Sequence, residues 1–170
     1  MTTETYLFVP EGKGLKQGFV LKDGSGNIVY EAKMTKMALL GAMTFEFTNH
    51  LTGKNETHKV GHTLTTETSD GVGDVFSTHS RFKMDGKNIW DLLHEQGIQI
   101  ANRLAGGKIG MAYEVSLKGQ PMATLTSTTP GGKSMLTSKY CYDITTEAEN
   151  LDLAFLVAFA IARTDQAFYS

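Results

Sequence analysis

The sequence predicts a mainly β domain whose strands surround one hydrophobic helix near the C-terminus. Residues 146–162 carry apolar side chains on every face of the predicted helix, whereas almost all of the preceding chain has the composition and alternation of β-strands. Because a helix without a polar stripe has to be covered on all sides, the strands are expected to form a sheet that curls around it. At 170 residues the chain fits a single domain, 1–170, that is large enough to bury a core.

Short β-rich runs separated by polar turns predict most of the chain as strands. In the sequence MTFEFTN, Met43, Phe45 and Phe47 face one way while the polar residues between them face the other. The clearest turn is DGSGN at 23–27, because Asp, Gly and Asn tolerate the positive φ of hairpin turns. Further tight turns are predicted at 85–86 and 118–119. The predicted strands are 5–9, 18–22, 28–33, 37–49, 56–68, 75–84, 99–104, 109–117, 120–127 and 134–143.

A second, short helix is predicted at 88–96, with the sequence NIWDLLHEQ and Asn88 in a position to cap its first turn. Its apolar side consists of Ile89, Leu92 and Leu93. The helix is expected to lie across one end of the sheet. Trp90, the only tryptophan, is interpreted as a plug for that end, and a platform for stacking a ligand is the alternative.

The C-terminal helix has its own start signal. Thr146, followed three residues later by Glu149, matches a capping box. After the first turn the apolar residues form ridges on all sides, so we expect this helix to be the centre of the core. The core residues expected in it are Leu151, Leu153, Phe155, Leu156, Val157, Phe159 and Ile161.

Composition and charge exclude several functional classes. The formal net charge of -2 does not favour a broad surface for nucleic acid. The N-terminal residues lack the pattern of a secretory signal, and the apolar run 153–162 spans only about 15 Å, roughly half a bilayer. Cys141 is the only cysteine, which excludes an internal disulfide and favours a reducing, cytoplasmic location. We interpret it as a small strand residue, with a reactive nucleophile as the alternative.

No catalytic, cofactor or metal motif is complete in this chain. His58 and His62 are four residues apart, and in a strand that spacing separates them by about 13 Å, too far to share one metal ion. The segment 130–134, PGGKS, ends like a phosphate-binding loop but leads into a predicted strand instead of a helix. The turn at 23–27 lacks the later ligands of a calcium loop. We therefore expect no enzyme, no cofactor and no metal, with an enzyme as a minor alternative.

The one pair of residues that indicates a ligand is Arg81 and Lys83. They flank Phe82 on a predicted strand, so both side chains point to the same face, with about 7 Å between their α-carbons. Two cations at this spacing can hold two oxygens of a phosphate-bearing headgroup. The alternative is an ordinary solvated strand face.

Three segments of the chain resemble the tubby C-terminal-domain superfamily. The residues 154–162, with Ala-Phe and Ala-Phe-Ala-Ile-Ala, resemble its final buried helix. The hairpin 19–33, FVLKDGSGNIVYEAK, resembles the opening repeat of the LURP-one-related and scramblase-like members. The segment 81–93, RFKMDGKNIWDLL, is similar to small bacterial tubby-like proteins of unassigned role. The resemblance implies a closed antiparallel barrel of roughly twelve strands around a central hydrophobic helix.

The same resemblance implies a function at the membrane. In the tubby branch the surface carries a basic phosphoinositide site, and Arg81 and Lys83 match the type and spacing of its headgroup-binding pair. The chain is shorter than tubby domains and lacks their arginine- and lysine-rich surround. An anionic phospholipid headgroup is the expected partner, and two alternatives stay open: a protein-interaction or structural module without a lipid ligand, and a carrier of a small apolar ligand. A carrier requires a hollow barrel, which the central helix argues against.

Overall fold

The structure is a computed structural model that describes residues 3–11, 18–37, 42–62, 82–105, 108–128 and 141–169. These residues form eleven strands and two α-helices. The strands are β1 (Thr3–Glu11), β2 (Gly18–Lys22), β3 (Ile28–Met37), β4 (Ala42–Asn49), β5 (Asn55–His62), β6 (Phe82–Met84), β7 (Lys87–Asn88), β8 (Ile98–Ala105), β9 (Lys108–Leu117), β10 (Gln120–Ser127) and β11 (Tyr142–Glu147). The helices are α1 (Ile89–Glu95) and α2 (Leu151–Tyr169), and a 3₁₀ turn, Ala148–Asn150, precedes α2.

All eleven strands belong to one antiparallel sheet with the order β7-β6-β5-β4-β3-β2-β1-β11-β10-β9-β8. Most neighbours in the sheet are also neighbours along the chain. The exception is the pair β1 and β11, in which Thr3 lies opposite Glu147 and Phe8 lies opposite Tyr142. This pair joins the first and last strands and places the start of α2 beside the start of β1.

The mainly β fold is confirmed, but the closed, twelve-stranded barrel is not. The sheet ends at β7 on one side and β8 on the other, and these two strands are not paired within the residues that the structure describes. The physical reason lies in β7, which has only two residues before the chain turns into α1. The ladder therefore does not extend from β7 to β8, and α1 bridges the seam, as we call the gap between these strands.

Helix α2 is enclosed by the sheet, as the sequence predicts. The ring of Phe155 stacks on Tyr30, with 4.3 Å between the centroids, and meets the edge of Phe8 at 5.4 Å. The ring of Phe159 contacts three rings of β2 and β4, namely Phe19, Phe45 and Phe47. On other sides α2 approaches β10, β11 and α1. The helix consequently has neighbours from both halves of the sheet.

Burial along α2 agrees closely with the expected core. The fully buried members, all at most 5 % exposed, are Leu151, Phe155, Val157, Phe159 and Ile161. Leu153 and Leu156 are half-buried and pack against the same core. Three alanines, Ala154, Ala158 and Ala162, are completely buried, which lets the surrounding wall approach the helix backbone.

The predicted start of this helix is wrong. Thr146 belongs to β11, where it lies opposite Glu4 of β1 and Ala123 of β10. Its hydroxyl donates a 2.9 Å hydrogen bond to the carbonyl of Met122, so it does not cap a helix. The 3₁₀ turn that follows has no side-chain cap, and α2 starts only at Leu151. The capping-box pattern is therefore misleading here, because Thr146 continues the sheet and its hydroxyl is used by the neighbouring strand β10.

The predicted strands mostly recur with shifted ends. Strand β10 matches its predicted bounds, β1 continues through Pro10 to Glu11, and Met37 ends β3 instead of starting β4. Met43, Phe45 and Phe47 face the core as predicted, with Met43 half-buried. The segments 63–81 and 129–140 lie outside the described residues, so most of the predicted strands 75–84 and 134–143 is not described.

The predicted turns have the expected backbone. In the turn at 23–27, Asp23 Oδ1 accepts hydrogen bonds from the backbone N–H groups of Ser25 (2.9 Å) and Asn27 (3.0 Å). This use of the carboxylate stabilises the hairpin between β2 and β3. The turns at 85–86 and 118–119 have positive φ at both residues, which is typical of two-residue hairpins.

The short helix is confirmed as α1, with Asn88 as its N-cap. The Asn88 side chain accepts hydrogen bonds from the N–H groups of Trp90 (2.9 Å) and Asp91 (3.3 Å). Ile89 and Leu93 are buried, and the helix packs against α2 and β8. Trp90 is half-buried against the core, which fits a structural role.

A buried polar group ties the start of α2 to the β4–β5 turn. Asn49, 2 % exposed, donates from Nδ2 to Asp152 Oδ1 at 3.2 Å. Its Oδ1 accepts hydrogen bonds from the N–H groups of Leu51 (2.9 Å) and Thr52 (3.3 Å). Burial and the nearby Asp152 carboxylate raise the pKa of the Tyr30 phenol at the same place. The helix entry is therefore fixed by hydrogen bonds as well as by packing.

Truncation of the central aromatic side chain, Phe155, is expected to remove much of the domain's free energy of unfolding. Phe155→Ala should lower the free energy of unfolding by about 3–5 kcal/mol, because the enclosing wall cannot collapse into the space left behind. Leu156→Ala removes a half-buried side chain of the same helix and should cost only about 1 kcal/mol. Urea unfolding followed by circular dichroism measures both values, and equal losses would contradict the enclosed helix.

Two of the buried tyrosines, Tyr6 and Tyr30, predict a loss of stability in alkali. Burial and a hydrogen bond to Glu4 raise the pKa of Tyr6 to about 12, and the pKa of Tyr30 is raised as well. A raised pKa in the folded state means that the unfolded chain loses its phenol protons first. This contribution to stability is therefore complete below about pH 10 and is lost as the pH rises towards about 12.

The measurement is the free energy of unfolding against pH, taken for the wild type and for Tyr30→Phe. The wild-type curve should fall more steeply above about pH 10, by up to about 1.4 kcal/mol per pH unit for the one phenol removed. Lysines titrate in the same range but are common to both proteins, so the difference isolates Tyr30. Parallel curves would show that Tyr30 ionises as easily in the folded chain as in the unfolded one.

Candidate functional site

Of the two predicted ligand-binding residues, the structure describes only Lys83, since Arg81 lies outside the described residues. Lys83 is in β6, opposite Gly61 of β5 and Asn88 of β7. The next residue, Met84, is buried in the core, 7 % exposed. Because successive strand residues point to opposite faces, Lys83 lies on the outer face of the sheet.

Two further lysines without a close carboxylate share this outer face; Lys33, opposite Glu46, also lies on it but pairs with Glu31. Lys36 of β3 pairs with Thr44 of β4, and Thr44 in turn pairs with Lys59 of β5. Directly paired residues lie on the same face, and two strand spacings put the α-carbons of Lys36 and Lys59 about 10 Å apart. Lys83 lies across from Gly61, two residues beyond Lys59, so its α-carbon is about 8 Å from that of Lys59. We call Lys36, Lys59 and Lys83 the lysine face.

The charges of the lysine face are not neutralised by close acids. In the described part of the chain, lysine ion pairs join Lys33 to Glu31 at 3.6 Å and Lys54 to Glu56 at 3.3 Å. No described carboxylate lies within 4.0 Å of the ammonium groups of the lysine face. Glu46 borders the face, and its carboxylate accepts a 2.8 Å hydrogen bond from Asn55. Three exposed or half-exposed cations thus remain available to an anion.

Sequence reasoning found one member of this face and missed two. Arg81 and Lys83 were visible as an alternate pair on a single strand. Lys36 and Lys59 come together only through the register of β3, β4 and β5, which a single sequence does not fix. The sequence does indicate that Lys59 points outwards, because it directly precedes the buried Val60 in the same strand.

A histidine on the core-facing side of β5, directly before Lys59 in the strand, lies between two carboxylates. His58 Nδ1 is 2.6 Å from Asp85 Oδ2, and its Nε2 is 3.2 Å from Glu56 Oε2. Asp85 also binds the backbone of Lys59 twice: Oδ1 accepts from the Lys59 N–H at 2.9 Å, and the Asp85 N–H donates to the Lys59 carbonyl at 2.7 Å. The imidazole meets the ring of Phe47 edge-on, with 5.3 Å between centroids. We call His58, Glu56 and Asp85 the histidine clasp.

The sequence singled out His58 for a different reason. It was weighed as a metal ligand together with His62, and β5 is indeed a strand that includes both residues. Within the described residues, no group of three or more His, Cys, Asp or Glu side chains is arranged to hold a metal ion. The contact with Asp85 was not foreseen, because Asp85 is far along the chain and approaches through the pairing of β5 with β6.

A groove crosses the outer face on the opposite part of the sheet. A cavity of about 320 Å³ lies over β8, β9 and β10, and a second of about 250 Å³ adjoins it over β10 and β11. Both are lined by Pro121, Ala123 and Thr124, where the register between β9 and β10 shifts. The charged residues in the lining are Glu114 and Glu147. The groove therefore does not suit an anion.

The remaining sequence candidates give no site. Cys141 is buried, 3 % exposed, as expected of a small structural residue, but it lies directly before β11 and not within a strand as predicted. The phosphate-loop-like segment 130–134 lies outside the described residues. Neither α1 nor α2, the helices of the described chain, is long and apolar enough over its described residues to cross a membrane.

Comparison of the chain with protein-family models, curated proteins and solved structures gives no match.

Proposed function

We propose that this protein is a non-enzymatic, tubby-like domain that binds an anionic phospholipid headgroup at the cytoplasmic surface of a membrane. The observation that carries the proposal is the lysine face, in which Lys36, Lys59 and Lys83 share one outer surface without a described carboxylate within 4.0 Å. The tubby-like barrel is part of the same proposal, supported by eleven strands that curl around α2 and by α1 across the seam.

The spacing of the lysine face suits phosphate groups on a surface. Lysine side chains are long and flexible, so ammonium groups whose α-carbons are about 8–10 Å apart can converge on one headgroup or contact two adjacent ones. Each lysine near an anionic membrane contributes about 1 kcal/mol. Three lysines therefore give weak, salt-dependent, peripheral binding, which agrees with a near-neutral protein that meets the membrane with one face.

The filled interior supports a function on the outer surface. The aromatic rings of α2 pack directly against those of β1 to β4, with centroid distances between 4.3 and 6.0 Å. An apolar ligand would have to displace these rings from close packing. A carrier function is accordingly the weakest of the three alternatives.

Vesicle co-sedimentation with Lys36→Ala/Lys59→Ala/Lys83→Ala tests the proposal. The wild type is expected to bind phosphatidylserine-containing vesicles and to leave pure phosphatidylcholine vesicles unbound. Loss of three lysine contacts at about 1 kcal/mol each should weaken binding on the order of 100-fold. Arg81→Glu/Lys83→Glu tests in the same assay whether Arg81 belongs to the binding surface.

The matched control is Lys22→Ala/Lys54→Ala/Lys118→Ala, which changes the net charge equally. Lys22 ends β2 at the β2–β3 turn, Lys54 is already paired with Glu56, and Lys118 lies in the β9–β10 turn. This variant should retain wild-type binding apart from a small general charge effect. The proposal is wrong if the wild type ignores anionic vesicles, or if both triple variants lose binding to the same extent.

A protein-interaction module is the second candidate, and one feature favours it. Within the described residues β8 pairs only with β9, so part of one backbone edge is open to an added strand. The groove over β8 to β10 adjoins this edge and can take side chains of such a partner. Absence of binding to anionic vesicles favours this candidate over the lipid.

A further inference from the structure

We infer that the histidine clasp is a protonation-dependent connection that holds β5 to the β6–β7 turn, next to the seam. The inference is independent of lipid binding, since it concerns how β5 is held to the β6–β7 turn. It starts from the two contacts of one imidazole ring: Nδ1 with Asp85 at 2.6 Å and Nε2 with Glu56 at 3.2 Å. A neutral imidazole has a single N–H group, whereas the imidazolium has two. Only the protonated ring can donate to both carboxylates.

The clasp lies on the edge of β5 that faces β6, beyond the end of the β5–β6 ladder, whereas β4 pairs with the other edge of β5 from Asn55 to Gly61. Strand β6 pairs with β5 only from Val60 to His62, so the first half of β5 has no strand on that side within the described residues. There the connection consists of His58 with Asp85 and of the two backbone hydrogen bonds between Asp85 and Lys59. A change at His58 therefore acts on the edge of β5 that the short ladder to β6 does not reach.

The charges around the ring make its proton important. Asp85 approaches from the β6–β7 turn, and Glu56 approaches from β5 itself, where Lys54 also contacts it at 3.3 Å. From β4 the ring meets Phe47 edge-on, and His58 pairs with Phe45; neither residue carries a charge. Tyr30 of β3 lies near enough to Glu56 to feel its charge. With the imidazolium, one cation separates two anions. Without its proton, the ring loses one hydrogen bond outright, and the donor of the other no longer carries a charge.

The consequence reaches the core through Phe47. This ring is 5 % exposed, lies under the His58 imidazole and packs on Phe159 of α2 at 5.0 Å. Loosening of the clasp therefore uncovers an aromatic ring that contacts the central helix. It also releases the backbone of Lys59, which the two hydrogen bonds to Asp85 otherwise hold in place.

Amide hydrogen exchange of Lys59 and Asp85 at about pH 5.5 and about pH 8.5, on either side of the range in which histidine ordinarily changes charge, tests the inference. After correction for the intrinsic rates, protection of both amides in the wild type should drop about tenfold at the higher pH, which corresponds to the loss of one charge-assisted hydrogen bond. In His58→Gln the protection should be the same at both values. His50→Gln is the control, because His50 contacts a single carboxylate, Glu31, and should leave the wild-type dependence intact.

A second measurement does not depend on the folding of a variant. Nitrogen-15 spectra of the wild-type ring should show both His58 nitrogens protonated at about pH 5.5 and one at about pH 8.5. Equal protection of Lys59 and Asp85 at both pH values, a wild-type dependence that persists in His58→Gln, or a neutral ring at the lower pH would overturn the inference.

Discussion

Enclosure of α2 is the constraint on which the rest of the structure depends. Phe155 and Phe159 meet rings from β1, β2, β3 and β4, while the opposite side of the helix faces β10 and β11. Such a helix is stable only if strands from both halves of the sheet reach it, so the sheet has to curl. The pairing of β1 with β11 satisfies this requirement, since it joins the two halves beside the point where α2 enters. Asn49 and Asp152 fix that entry with a buried hydrogen bond.

Because side chains fill the interior, a binding function has to use the outer surface. The described outer surface has two contrasting regions: the lysine face on β3 to β6, and a groove over β8 to β11 whose charged lining residues are acidic. The two regions differ in the ligands they attract, because the lysine face attracts anions and the acidic groove does not. The histidine clasp starts from the opposite face of β5, since His58 pairs with the buried Phe45, and it lies where the short β6 leaves one edge of β5 without a strand partner.

The sequence predicted the elements better than their connections. Alternation in MTFEFTN and the glycine-containing turns were sufficient to place β4, β10 and the hairpins, because these signals are local. Thr146 was misassigned because a threonine before a helix resembles a cap, and only the approach of β10 decides that its hydroxyl binds Met122. The site follows the same rule: Lys83 could be predicted from its own strand, whereas Lys59 and the Asp85–His58 contact depend on strand register. The open seam likewise results from strand pairing, because β7 has only two residues and does not reach β8.

The most direct measurement of the central claim is the folding of a chain that ends at Asn150, directly before α2. All eleven strands remain in this chain, so a sheet that is stable without the helix would still give a cooperative unfolding transition and dispersed amide resonances. The enclosure of α2 predicts the opposite result, a chain without cooperative unfolding that recovers its native spectrum when a peptide of residues 151–170 is added. A cooperatively folded truncated chain would contradict the view that the sheet is organised around the helix.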